Sequence, residues 1–300
     1  MLKIAFAPEY VLPLPANHRF PISKYELIPL QLLHEGTAEP ENFFEPASLD
    51  PEIAAITHTH EYIHRLLNLQ LTLSESRKIG FPQTPELIRR EFIIAGGTVE
   101  CCTYAAQDGI SINVAGGTHH AYADKGEGFC VLNDCAIAAN YLLHQVPSRK
   151  IMIIDLDVHQ GQGTAKIFEN EQRVFTFSMH GKNNYPARKE KSSLDIALED
   201  GLKDEGYLSI LEKQLPVILD FFQPDFAFYI SGVDILSTDR YGKLKISMNG
   251  CRLRDEFVFN TLKRKNIPVV VTMGGGYSPQ IKDILEAHCN TFRSAKNIYF

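Results

Sequence analysis

Ile151-Met152-Ile153-Ile154 runs directly into Asp155-Leu156-Asp157-Val158-His159-Gln160-Gly161-Gln162-Gly163. Four successive apolar residues without polar alternation read as a parallel strand buried on both faces. The residues that follow are of the kinds that bind metals or move protons. Three other segments share this arrangement. Residues 226–231 run into Gly232-Val233-Asp234, residues 111–115 into Gly116-Gly117-Thr118-His119-His120, and residues 269–273 into Gly274-Gly275-Gly276-Tyr277. Ligands bind beyond the carboxyl ends of the strands in open parallel sheets. Carboxylates, three histidines and a tyrosine arriving there together predict one site.

Outward from these strands, helical and extended patterns alternate. Helices are expected over 85–107, 133–145, 163–170, 207–222 and 251–265, and a further strand over 173–178. Residues 1–7 read as a first strand. Pro147, Pro224 and Pro268 precede strands, where proline ends a helix. This rhythm predicts a single α/β domain over 1–300, with a large, predominantly parallel sheet flanked by helices on both faces. Residues 180–206 are polar with little periodicity and read as a long functional loop.

The chain has 300 residues, 44% of them hydrophobic, enough for one large core. Its net charge of −6, with scattered Lys and Arg, argues against nucleic acid or an anionic membrane as partner. No stretch has the ~20 apolar residues of a membrane helix, and the N-terminus is too short for a signal peptide. A soluble, cytoplasmic protein is expected. Six cysteines without a C-x-x-C pair speak against a cysteine-rich zinc site and for reduced, buried thiols.

Asp155, Asp157 and His159 stand at i, i+2 and i+4, so on an extended backbone they point to one face. Asp157 and His159 can share an ion, and Asp234 is the natural third ligand. Two carboxylates and one imidazole leave a position open on a tetrahedral ion, as a catalytic zinc requires. The same D-x-D-x-H also suits a strand-end cap. His119 and His120 follow two glycines that allow a tight turn. A histidine beside metal-activated water can take its proton and later protonate a leaving amine. Asp155 is free to hold the His119 tautomer. Tyr277 on its glycine turn suits hydrogen-bond donation to a developing oxyanion. A second metal reading exists: His60-Glu61-Tyr62-Ile63-His64 matches H-E-x-x-H, with Glu75 as a distant third ligand. Against it stands an amphipathic helix with Tyr62, Ile63, Leu66 and Leu67 inward.

Five motifs in order carry a resemblance: Gly116-Gly117-Thr118-His119-His120-Ala121, Gly128-Phe129-Cys130-Val131-Leu132-Asn133-Asp134, residues 155–163, Ser231-Gly232-Val233-Asp234 and Gly275-Gly276-Tyr277. Together they resemble the zinc-dependent histone deacetylase family. The Asp157-Val158-His159-Gln160 variant, with Asn184-Tyr185-Pro186 downstream, is most similar to the class IV branch and bacterial histone-deacetylase-like amidohydrolases. The resemblance implies the arginase/deacetylase fold and zinc held by Asp157, His159 and Asp234. It implies acid and base roles for His119 and His120, and carbonyl polarisation by Tyr277. It also implies a tunnel walled by Gly128, Phe129, Tyr185 and Gly276.

A monovalent cation, K⁺ or Na⁺, is implied as well. Its ligands would be Asp155, the Ser178 hydroxyl and the carbonyls of Asp157, His159 and Met179. A second such site would use the carbonyls of Phe168 and Val174, near Glu171. There are two departures. Gln162 stands where the family often has Asp or Asn beside the second histidine, and residues 77–84 hold no counterpart of the class I rim aspartate.

The expected activity is zinc-dependent removal of acetyl or longer acyl groups from lysine ε-amines of proteins. The alternatives are a small-molecule deacetylase of acetylpolyamine or acetoin-pathway type, an H-E-x-x-H protease, and an inactive acyl-lysine reader. The net negative charge favours cationic substrates.

Overall fold

The structure is a computed structural model that describes residues 1–15 and 18–300. The strands are β1 (Lys3–Ala5), β2 (Phe43–Phe44), β3 (Ile110–Asn113), β4 (Ile151–Asp155), β5 (Val174–Gly181), β6 (Leu194–Leu198), β7 (Phe226–Ile230) and β8 (Val269–Thr272). Among the described residues they form one sheet in the order β2-β1-β3-β8-β7-β4-β5-β6. Every neighbouring pair is parallel.

The helices are α1 (Lys24–His34), α2 (Pro51–Ala54), α3 (His60–Leu67), α4 (Leu73–Ile79), α5 (Pro85–Asp108), α6 (Asp134–Gln145), α7 (Gln162–Ile167), α8 (Asp204–Phe222), α9 (Met248–Arg264) and α10 (Ile281–Tyr299). They cover both faces of the sheet. Met152 and Ile154 of β4 and Ala227 and Tyr229 of β7 join one core with α8, α9 and α10. Ile151, Ile153, Phe226, Phe228 and Ile230 join the other with α5 and α6. Alternate residues of a strand face opposite ways, so an apolar run without alternation is what a strand between two helical layers requires. Local chemistry sets the helix ends. The Thr84 hydroxyl accepts from Leu87 N at the start of α5, Pro85 occupies its first turn, and Gly109 ends it at φ 86°. The six cysteines are buried and unpaired.

Several sequence expectations shift. The stretch 180–206 is not one loop: β5 continues to Gly181, β6 is an edge strand, and α8 begins at Asp204. Most of β6 is only partly buried, so its apolar signature is weak. The helix expected over 163–170 is the shorter α7, because Glu171 N donates to Phe168 O and turns the chain. The first strand is only β1, since Pro8 opens a short 3₁₀ turn. The amphipathic helix expected around Tyr62 and Ile63 is α3. α1, α2, α4, α10 and the two-residue β2 were not foreseen. α2, α4 and β2 are short and α1 is interrupted by Pro29, but α10 is long and its buried face (Ile284, Ala287, His288, Thr291, Phe292 and Ala295) follows helical spacing.

The consequence for function lies in the strand order. β3, β8, β7 and β4 are contiguous. Their carboxyl ends therefore deliver His119 and His120, Tyr277, Asp234, and the Asp155–His159 segment to one place. Arg254 of α9, fully buried, ties two of these ends. Its guanidinium donates to Gly232 O at 2.5 Å, Ser231 O at 3.2 Å and Leu156 O at 3.3 Å, and pairs with buried Asp255 at 2.8 Å. Removing one partner of a buried pair strands the other charge. Arg254→Leu is therefore expected to lose about 3–5 kcal/mol of stability in denaturant titration. The double variant R254L/D255L should lose less than the sum of the two single changes.

Candidate active site

Asp157 and His159 lie just past β4, and Asp234 four residues past β7. Asp157 and Asp234 are 1% and 0% exposed, and the ligand atoms of Asp157, His159 and Asp234 lie within 4.8 Å of one another. Backbone amides fix the carboxylates. His159 N donates to Asp157 Oδ1 at 2.9 Å, Gly275 N to Asp157 Oδ2 at 2.7 Å, and Val158 N to Asp234 Oδ1 at 2.9 Å. His159 Nδ1 sits 3.0 Å from both Asp157 Oδ1 and Asp234 Oδ2. Burial, with the Asp157 charge beside it, pushes the Asp234 carboxyl up to about 7. Burial opposes the charged form of His159, but the two carboxylates outweigh it and hold its pKa near 10.

Between Asp157 and Asp234 the protonated form of the His159 imidazole is thereby favoured. A divalent cation fits this donor set, being hard-to-borderline and able to replace that proton. Gly275 completes the cradle: a Cβ there would overlap Asp234 Oδ2 and reach 2.9 Å from Asp157 Oδ2.

The two histidines that follow β3 sit in different surroundings. His119 Nδ1 donates to Asp155 Oδ2 at 2.7 Å. Burial works against its charge, yet Asp155 and Asp157 prevail and raise its pKa to about 9. His120 Nδ1 lies 2.6 Å from Gln162 Oε1. The Gln162 amide nitrogen faces Glu127 Oε2 at 3.4 Å, and that carboxylate, which also takes the Tyr185 hydroxyl at 2.8 Å, can only accept. Gln162 must therefore present its oxygen to His120, which makes Nδ1 the donor and leaves Nε2 with a lone pair. Burial, with the charges of His119 and His159 nearby, keeps His120 well below its usual range. Tyr277 is kept a protonated O–H donor by burial and by the Asp157 and Asp234 carboxylates, which raise its pKa well above 10.

A cavity of about 350 Å³ leads to His120, His159 and Tyr277 between Gly128, Phe129 and Tyr185. Gly276 does not line it. A Cβ there would meet Val233, His288 and Ile284, on the inner side of the loop. The inner part of the site is a second cavity of only about 30 Å³, bounded by His119, His120, Asp157, His159 and Tyr277 and reaching Tyr25, Arg90 and Ile94.

Three residues that the sequence did not single out hold these parts. Lys24 Nζ, buried on α1, donates to Gly274 O at 2.9 Å, and burial draws its pKa down to about 8. Asp239 accepts from Tyr277 N at 2.7 Å and from the amides of Tyr241 and Gly242 at 2.8 Å each, so it positions the Tyr277 loop. Glu127 fixes Gln162 and Tyr185 together. A polar residue without periodic neighbours gives no local signal; a buried lysine or aspartate is recognisable only from the fold.

The other metal readings fare differently. His60, Glu61 and His64 of α3 are exposed, and Glu75 is held by Arg65 Nη2 at 2.6 Å and by Thr72. Among the described residues they form no ligand cluster. Tyr62, Ile63 and Leu66 face inward, whereas Leu67, expected there too, is exposed. Asp155 and Ser178 are register partners on β4 and β5, and the Ser178 hydroxyl lies 2.9 Å from His180 Nδ1. The Phe168 carbonyl accepts from Glu171 N, and Glu171 itself is bound by Arg173.

The histone deacetylase domain profile matches residues 18–292. The chain is 39% identical to an uncharacterized protein of Picosynechococcus sp. over 99% of both chains. It is 31% identical to histone deacetylase 2 of Arabidopsis thaliana, over 87% of this chain and 70% of that one. The structure of a histone deacetylase homolog from Aquifex aeolicus superposes with a TM-score of 0.84 at 21% identity, over 99% of this chain and 84% of that chain. Another histone deacetylase homolog structure, complexed with SAHA, also gives 0.84, at 22% identity.

Chelator-treated protein is expected to take up about one equivalent of Zn²⁺ by calorimetry, with proton release. Asp157→Ala and Gly275→Ala should abolish tight uptake, and H60A/H64A should keep it. Loss of uptake in the last variant alone would move the site to α3.

Proposed function

The chain belongs to the histone deacetylase family, and from that premise we propose that it hydrolyses a short-chain acyl amide of a lysine ε-amine at a divalent metal, zinc, held by Asp157, His159 and Asp234. The observation that carries the reading is the convergence of those three ligands with two differently polarised histidines and a protonated tyrosine at the end of one cavity.

Bound there, zinc would supply an electrophile for the amide carbonyl and lower the pKa of a water. The residues do the rest. Tyr277 donates its hydroxyl hydrogen bond to the carbonyl oxygen as negative charge develops. His120, neutral with Nε2 free, takes the proton of the attacking water. His119, held cationic by Asp155, gives a proton to the departing amine. The division follows from partner charge, because Asp155 is a carboxylate and Gln162 a neutral amide. Phe129 and Tyr185 flank the linear side chain and keep water from the amide.

The inner end of the site, only about 30 Å³ between the metal-binding residues and Tyr25, Arg90 and Ile94, has room for little more than a methyl group. An acetyl group therefore suits this chain better than a fatty acyl group. A monovalent cation beside Asp155 and Ser178, with the carbonyls of Asp157, His159 and Met179, belongs to the same proposal; there it would damp the Asp155 charge that raises His119. The Phe168 and Val174 carbonyls are the weaker candidate site, since Phe168 O and Glu171 already have partners.

On an acyl-chain series of lysine peptides, kcat/KM is expected to fall steeply beyond two or three carbons; an optimum at long chains contradicts the reading. Tyr277→Phe should cost on the order of 10²–10³ in kcat, by analogy with loss of an oxyanion donor. Gln162→Asp places a carboxylate against His120 Nδ1 and raises its pKa. A base must be unprotonated to act, so the acidic limb of the kcat/KM profile should move to higher pH.

A further inference from the structure

The rim of the cavity carries one sign of charge. Its lining includes Arg19, Arg77, Lys78 and Lys243 and no acidic residue. All four are exposed, and among the described residues none is in an ion pair. Lys243 Nζ has a backbone partner, Asn183 O at 2.9 Å. Acidic groups bonded to residues of the mouth are already engaged. Glu127 takes the Tyr185 hydroxyl and lies 3.9 Å from Lys125, and Asp239, largely buried, accepts from the amides of Tyr241, Gly242 and Tyr277.

Arg77 and Lys78 stand in the last turn of α4, where cations favour the helix dipole. That accounts for two charges but not for Arg19, in the loop before α1, or for Lys243, past β7. Three separate chain segments converge on one opening with the same sign, on a chain whose net charge is −6. The local field at the entrance therefore opposes the overall one. A polyamine or a lysine-rich tail, which net charge alone would favour, meets repulsion at the opening.

We propose that the substrate carries a carboxylate close to the acyl-lysine backbone, bound by this rim. The inference rests on the deacylase reading above and narrows its substrate class. The carboxylate has two possible sources, acidic side chains flanking the acyl-lysine or the α-carboxylate of a terminal acyl-lysine. Electrostatic focusing in a cleft of one sign raises association about tenfold or more and weakens with salt.

The test uses zinc-loaded full-length protein and four acetyl-lysine peptides of equal length. Three are C-terminal amides flanked by Asp/Glu, by Ser/Gly or by Lys/Arg; the fourth is neutral and ends in acetyl-lysine with a free carboxylate. The expected kcat/KM on the acidic peptide, the free-acid peptide, or both is about tenfold above neutral, with the basic peptide below neutral and the spread shrinking at high salt. Which acid is preferred identifies the source. R77E/K78E, with Lys243→Gln as a milder second variant and thermal unfolding to confirm folding, should bring the acidic-to-neutral ratio to about one. Equal rates on all four peptides overturn the inference and leave the deacylase reading standing. Hydrolysis of none overturns both.

Discussion

Two carboxylates, Asp157 and Asp234, are held side by side out of water, 1% and 0% exposed, with ligand atoms within 4.8 Å of each other and of His159. Like charges so placed repel strongly in a low-dielectric interior. A cation beside them relieves that repulsion, and His159, whose protonated form the two carboxylates favour, stands where one is needed. The rest of the site answers to this constraint. Amides of Val158, His159 and Gly275 donate to the carboxylates, and small residues stand where a side chain would intrude. Asp155 and then Asp157 raise the His119 pKa, and burial with the Asp157 and Asp234 charges keeps Tyr277 protonated.

Holding such a centre needs a rigid frame, and parallel strands supply it. The strands buried between two helical layers leave their carboxyl-end loops as the free part of the chain. Those loops are then pinned from behind. Arg254 grips the carbonyls of Leu156, Ser231 and Gly232, Lys24 that of Gly274, and Asp239 the amide of Tyr277. Each pin is a charged group buried beneath the site and anchored to backbone. Position is thereby set by interactions that do not depend on which side chains face the substrate.

Much of this was legible in the sequence for a physical reason. A strand buried on both faces must be apolar throughout, so β4, β7 and β8 announce themselves, and the first polar residues after them are the chemistry. The long helix α5 was legible from Pro85 to its end because cap, proline and glycine all act locally. Asp155 was placed beside His119 by having no place among the metal ligands. What failed to show was either marginal or distant. β6, an edge strand partly open to water, lacks the apolar run of a central strand. Lys24 acts on Gly274, 250 residues away. Gly276 belongs to the right loop but faces inward, since one residue's rotation decides which glycine meets the cavity. The charge of the entrance was not legible from the net charge, because four cations from three segments gather there while acids elsewhere set the total.

The most direct measurement is anomalous diffraction at the zinc edge from crystals of the metal-loaded protein. The account requires a single strong peak bounded by Asp157, His159 and Asp234, with Tyr277 and both histidines of the 119–120 pair around it. A peak at His60 and His64, or at no place where those three side chains meet, would contradict it.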